Sequence, residues 1–308
     1  MIDAVTTLLS SQMMQRSLLA ALIVGLTAPI IGTYLVHRRL AMLGDGIGHI
    51  SLTGVALGWL VGTFANVSPA DSWAVPGAVI ISLLGAIMIE LVRQSGRTSG
   101  DTALAMLFYG GIAGGVLLIG LAGGTSAQLN SYLFGSISTV RWSDISLITI
   151  LGLAIIVLGV GLAPALFSVT NDEDFARSTG LPVRTLSLLI AVLSALTVAV
   201  AMRVVGSLLV SALMVIPVAI AQLGARSFRS TMGIAMALGV VICMSGLSLT
   251  YFIDLSPGAT IVVGAIALYA ISFGIRAIVD RIRRVRRLRA ARGHNQHPER
   301  EHLAHADA

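Results

Sequence analysis

Long apolar runs, broken by short clusters of arginine, glycine, proline and serine, set the pattern of this chain. Runs of about 18 or more apolar residues predict helices that cross a membrane. Placed between the breaks, they predict nine spans, near residues 17–36, 40–64, 73–92, 102–121, 145–167, 186–202, 207–223, 231–253 and 260–275, with eight as the competing count. The second run is long enough to be tilted or broken near its polar start. A transmembrane β-barrel is excluded, because its strands would alternate polar and apolar residues in segments of about ten. The fold class is therefore all-α, a polytopic bundle.

Two connections stand out. Residues 122–144 hold Leu133-Phe134-Gly135 between small and polar residues, and are expected to dip partly back into the membrane. Residues 168–184 read SVTNDEDFARSTGLPVR. Asn171 or Asp172 can cap a short helix there, acids fill its first turn, and Gly180 with Pro182 stops it. No period of about 20–50 residues marks a repeat array.

Composition agrees with the spans. The 308 residues are 56% hydrophobic and 11% charged, whereas soluble domains carry about 25% charged residues. A soluble enzyme is excluded. Thirty-three glycines and eight prolines suit membrane helices, which tolerate both. The single cysteine, Cys243, sits in an apolar run and carries neither a disulfide framework nor a redox motif.

Charge sets the orientation. From Arg276 onward nine arginines face four acids; the rest of the chain balances eleven arginines against ten acids, with no lysine. A basic excess beside a membrane span reads as a cytoplasmic tail rather than a nucleic-acid surface. His37-Arg38-Arg39, Arg93 with Arg97, Arg177 with Arg184, Arg226 with Arg229 and the Arg276–292 cluster share one face if the spans alternate. The N-terminus is then expected outside and the C-terminus in the cytoplasm. The expected division is an extracellular segment 1–16, a membrane domain 17–275 and a disordered basic tail 276–308. His294, His297, His302 and His305 in that tail have two readings, weak metal binding or plain solvation.

The sharpest constellation is Gly44-Asp45-Gly46-Ile47-Gly48-His49. Asp45 and His49 are four apart, so on a helix they share a face one turn apart. They lie roughly 9–15 Å beyond Arg39 at 1.5 Å per residue, where an ionisable side chain is costly and marks a functional site by default. Carboxylate with imidazole suits Zn²⁺, and Mn²⁺ with less preference. The alternative is a buried Asp–His pair that ties helices together. A two-fold dimer with this helix near its axis would double the pair to four ligands. Gly54 and Gly58 suit close helix packing. Glu90 and Asp101 flank one connection and are expected at the interface; Arg203 and Asp254 are expected near outer ends, facing a partner. No P-loop, HExxH pair, nucleophile elbow or cysteine cluster occurs in the sequence, so energy must come from an ion gradient or another subunit.

Taken in order, several segments form a signature: Arg38-Arg39-Leu40-Ala41-Met42-Leu43-Gly44-Asp45 with His49, Tyr132-Leu133-Phe134-Gly135, Asp174-Phe175-Ala176-Arg177 with Gly180, Val205-Gly206-Ser207-Leu208-Leu209 leading to Ile216-Pro217, and Asp254-Leu255-Ser256-Pro257-Gly258. Over about residues 19–275 the chain resembles the membrane-spanning permease subunit of ATP-binding-cassette importers for zinc, manganese or ferrous iron. The resemblance implies a homodimeric pore in the cell membrane, cytoplasmic ATPase subunits and an extracellular metal-binding protein. No permanently bound cofactor is expected; Zn²⁺ is the preferred cargo because imidazole suits it better, with Mn²⁺ or Fe²⁺ the alternatives. Asp45 and His49 match metal-pathway positions. Asp172, Asp174, Phe175, Ala176, Arg177 and Gly180 match the segment that docks on the ATPase. The chain departs from the family pattern in its tail and at Val218-Ala219-Ile220. A proton-driven secondary transporter is the rival reading, but it calls for more carboxylates within the spans.

Overall fold

The computed structural model describes residues 11–67, 70–96, 99–123, 125–136, 140–253 and 255–294. Twelve α-helices run through them in order. They are α1 (Gln12–His37), α2 (Ala41–Phe64), α3 (Ala74–Ser95), α4 (Gly100–Leu121), α5 (Ser126–Phe134) and α6 (Trp142–Gly161), followed by α7 (Ala163–Asn171), α8 (Glu173–Ser178), α9 (Val183–Val205), α10 (Val210–Gln222), α11 (Phe228–Phe252) and α12 (Pro257–His294). A 3-10 turn at Ala70–Trp73 leads into α3.

Eight of these, α1, α2, α3, α4, α6, α9, α11 and α12, are long and apolar enough to cross a membrane. The run expected to span at 207–223 is helical only over the 13 residues of α10. That is about 20 Å at 1.5 Å per residue, against a hydrocarbon core of about 30 Å. Its first residues form a turn, because Gly206 takes a left-handed backbone with φ of 86°. The run expected at 145–167 divides between α6 and α7, where Pro164 occupies the first turn of the second helix. The second run breaks before its polar start, at Arg38–Leu40, and α2 itself is continuous through its glycines.

α1 and α9 form the centre of the bundle. α1 packs against α6, α9, α10 and α11, and α9 packs against α1, α2, α3 and α6. Tyr34 on α1 donates to the carbonyl of Gly159 on α6 at 2.6 Å, so the buried phenol is satisfied. α4 and α12 lie at the periphery and turn apolar side chains outward, among them Met106, Leu117, Val263 and Ile271.

Two glycine sites set the layout. α2 crosses α3 where Gly54 and Gly58 meet Gly77 and Trp73, and a Cβ on Gly54 would lie 2.5 Å from the Gly77 carbonyl oxygen. Small residues at this spacing let membrane helices approach backbone to backbone. The second site joins α5 to the α9–α10 break. The last carbonyls of a helix lack intrahelical partners; here Tyr132 and Leu133 accept from the amides of Ser207 (2.9 Å) and Leu208 (3.2 Å). Gly135 and Gly206 both take positive φ at this junction, and a Cβ on Gly258 would collide with the carbonyls of Val205 and Phe134. Three of the signature segments thus converge on one knot of backbone.

α12 does not stop at the expected membrane boundary. It continues as helix through the basic segment to His294, where a disordered tail was expected from residue 276. Asp254, His297, His302 and His305 lie outside the described residues.

Candidate metal pathway and docking segment

Asp45 and His49 stand on one face of α2, with Asp45 Oδ1 3.9 Å from His49 Nε2. That separation is too long for a hydrogen bond. Asp45 is instead held by α10, since Ser211 Oγ donates to Oδ1 at 3.1 Å. His49 packs edge-on against Phe108 of α4, with ring centroids 4.1 Å apart and planes at 67°.

The backbone around His49 is crowded. A Cβ on Gly48 would lie 2.7 Å from the Ser207 carbonyl oxygen, and one on Gly111 would lie 2.5 Å from the His49 carbonyl carbon. Small residues here let α4 and the α9–α10 break enclose the imidazole. His49 is 4% exposed and Asp45 28% exposed. His49 Nδ1 is buried with no hydrogen-bond partner among the described residues. Such a group carries a desolvation cost of about 1–3 kcal/mol. Asp45 opens onto a cleft of about 510 Å³ lined also by Asp101, Leu104, Phe108 and Tyr109. Among the described residues, no three His, Cys, Asp or Glu side chains cluster closely enough to hold a metal ion. Asp45 and His49 thus stand as a pair, with no third such side chain beside them among the described residues.

The second expected site folds as its residues dictate. Asp172 caps the six-residue α8, its Oδ1 accepting from the amides of Asp174 (3.0 Å) and Phe175 (2.9 Å). Ala176 is buried, Phe175 is 60% exposed, and Arg177 reaches Asp174 at 3.6 Å on the surface. Gly180 ends the turn with φ of 81°, its amide bonded to the Arg177 carbonyl. The helix thus presents Phe175, Asp174 and Arg177 outward and fixes itself through Ala176.

Several polar contacts have no counterpart in the sequence pattern. Ser211 on Asp45 is one. Glu173 is another, meeting Arg38 from the end of α1 and, at 3.5 Å, Arg93 from the end of α3. Burial opposes ionisation of Glu173, yet the hydrogen bonds and charges of Arg38 and Arg93 outweigh it and hold the carboxyl below its usual value. Glu90, expected at the interface, is buried and accepts from Arg93 (2.9 and 2.8 Å) and Gln94 (2.9 Å). Arg203, expected to face a partner outside, is buried instead. It lies 3.6 Å from Asp144 and stacks over Tyr132 at 5.5 Å. These partners come from distant parts of the chain, and hydropathy carries no trace of such pairings.

Among the described residues the body is all-helical, with eight helices of membrane length and an acid–imidazole pair on one of them, the build of a multi-pass membrane protein. The model of the ABC 3 transport family matches residues 10–276, and the chain belongs to that family. It is 31% identical to the manganese transport system membrane protein MntC of Halalkalibacterium halodurans, over 86% of this chain and 88% of that protein. It is 28% identical to the high-affinity zinc uptake system membrane protein ZnuB of Haemophilus influenzae, over 83% of this chain and 95% of that one. Among solved structures it resembles PsaBC from Streptococcus pneumoniae in complex with Fab, with a TM-score of 0.78 and 31% identity, covering 89% and 95% of the two chains. As a family member the chain is a transport subunit of an ATP-binding-cassette system rather than an enzyme.

Proposed function

We propose that this permease carries divalent metal ions into the cell, with Asp45 and His49 as the transit site and Zn²⁺ as the preferred cargo. The observation that carries the reading is the buried, partnerless Nδ1 of His49 on the same helix face as a half-open carboxylate. Imidazole nitrogen with carboxylate oxygen is a borderline donor set that favours Zn²⁺. Mn²⁺ is the second reading, favoured by the likeness to a protein named for manganese transport. Because one chain supplies only two ligands, a homodimer that faces the two Asp45 clefts toward each other would complete a four-ligand site. Deprotonated Asp45 and neutral His49 are the forms that bind metal.

The arginine-rich end of the bundle is taken as cytoplasmic. There α8 and its flanks, from Asp172 to Gly180, serve as the seat for an ATP-binding subunit. Phe175 supplies the apolar anchor, while Asp174 and Arg177 supply its polar rim. A metal-binding protein would deliver the ion at the opposite end.

The test uses a strain lacking this chain, complemented with wild type, Asp45→Asn, His49→Ala or Phe175→Ala, and metal accumulation is measured for Zn²⁺, Mn²⁺ and Fe²⁺. The wild-type chain is expected to restore uptake, with Zn²⁺ foremost. The two pathway variants should reach the membrane at normal abundance and still co-purify with the ATPase, yet fail to restore uptake. Intact uptake in both, or loss of the protein itself, would overturn the transit site. Phe175→Ala should release the ATPase; retained co-purification and transport would remove the docking reading.

A further inference from the structure

We propose that Glu173 is a positioning residue that transmits movement of α8 to the α1–α2 turn and so to Asp45, through its ion pairs with Arg38 and Arg93. The proposal rests on the docking reading of α8 and names the contact that links docking to the metal pathway.

The geometry places two functions on opposite sides of one short helix. Phe175 faces outward, whereas the Glu173 carboxylate turns inward between two arginines from different spanning helices. Residues two apart on a helix point about 200° apart, so both orientations hold at once. Arg38 is 6% exposed and also donates to Ser187 on α9 at 2.7 Å. Arg93 is already committed to Glu90 through two hydrogen bonds. Glu173 is therefore the carboxylate that joins α8 to a charge network spanning the ends of α1, α3 and α9. Losing one member leaves a buried charge poorly compensated, so the network moves as a unit or breaks.

The path from Arg38 to Asp45 is seven residues long and bonded at several amides. Arg39 holds a left-handed backbone, with φ of 59°. The amides of Arg39 and Leu40 bond back to Val36 (3.2 Å) and Leu35 (2.8 Å), and the Leu43 amide bonds to Leu40 at 2.9 Å. α2 begins at Ala41 and carries Asp45 in its second turn. A shift at Arg38 is thus passed to Asp45 through a short turn in which the Arg39, Leu40 and Leu43 amides are bonded. Asp45 is also tethered to Ser211 on α10, so that shift alters its distance to a second element.

The experiment reconstitutes the permease with its ATPase subunit in proteoliposomes and reads Zn²⁺ or Mn²⁺ moved per ATP hydrolysed, beside co-purification of the two subunits. Glu173→Gln and Arg38→Gln should each lower that ratio about fivefold or more, with co-purification unchanged. The double variant should be no worse than the lower single, since both act through one contact. An unchanged ratio in Glu173→Gln, or single effects that multiply in the double, would overturn the proposal. Should Arg38→Gln fail to accumulate, Glu173→Gln decides alone, because that side chain is partly solvent-exposed. Phe175→Ala, run in parallel, separates the two claims. If it loses the ATPase while Glu173→Gln keeps a wild-type ratio, docking stands and this inference falls. If it keeps the ATPase, the docking reading fails and this inference falls with it.

Discussion

Substituting Gly111 by alanine tests whether close approach of α4 to α2 holds His49 in place. The new Cβ would lie 2.5 Å from the carbonyl carbon of His49, 2.6 Å from the amide nitrogen of Ile50 and 2.7 Å from the His49 carbonyl oxygen. All three are backbone atoms, so no side-chain rotation relieves the overlap. Ordinary contact begins at 3.4 Å, and α4 must retreat by about 0.9 Å to reach it. The same retreat acts on the hydrogen bond from Thr53 Oγ1 to the Gly111 carbonyl, now 2.7 Å. It would stretch to about 3.6 Å, which is no longer a bond. Overpacking costs about 1–3 kcal/mol, and an interhelical hydrogen bond in a membrane contributes about 0.6 kcal/mol. Gly110 is the internal control, because a Cβ there meets nothing within 4 Å. In thermal unfolding of the detergent-purified permease, Gly111→Ala should melt below wild type while Gly110→Ala does not. Metal uptake should fall in the same order, as Phe108 moves off His49. Equal melting and equal uptake for the two variants would refute the reasoning.

Two further outcomes follow from the same geometry. Ser211→Ala removes the donor that orients Asp45 and should weaken apparent metal affinity by about tenfold with the maximal uptake rate retained; an unchanged KM for uptake would show that α10 does not hold the carboxylate. The carboxyl of Glu173 has its pKa lowered by Arg38 and Arg93 against the opposing effect of burial, so the stabilisation it supplies is complete above the ordinary glutamate value and is lost as pH falls through the lowered one. Hydrogen-exchange protection of α8 should stay flat through neutral pH and drop only on the acid side of 4.5; a drop near neutrality, or the same acid drop in Glu173→Gln, would contradict this.

The spans were legible because each is an apolar run bounded by charge or by helix breakers, and that signal is local. The 207–223 run shows where the signal fails. Gly206, Leu208 and Leu209 are as apolar as the helix that follows, so hydropathy passes over a turn that only backbone geometry creates. That Asp45 and His49 share a helix face was legible by their spacing, and that Asp172 caps a short helix ended at Gly180 was legible by capping chemistry. Ser211 was not, since a serine in an apolar run has many harmless roles and its partner lies on another helix. Arg203 was misread for a related reason: position near a span end suggests exposure, but Asp144 and Tyr132 are brought to it by folding. Pairings between distant residues are settled by packing, and packing leaves no period in a sequence.

The knot between α5 and the α9–α10 break also bears on how the chain is made. Ribosomes deliver Tyr132 and Leu133 before α6, α7, α8 and α9 exist, and the amides of Ser207 and Leu208 that pair with them emerge only afterwards. Until then two carbonyls at the end of α5 need water or another temporary partner, because unpaired acceptors in hydrocarbon are costly. α5 can therefore reach its final hydrogen bonding only after Ser207 and Leu208 have been made. Gly258, at the start of the last helix, closes against the same carbonyl-rich surface last of all. A chain that ends before α12 therefore has the α5 carbonyls paired but lacks the backbone packing that Gly258 adds over Val205 and Phe134.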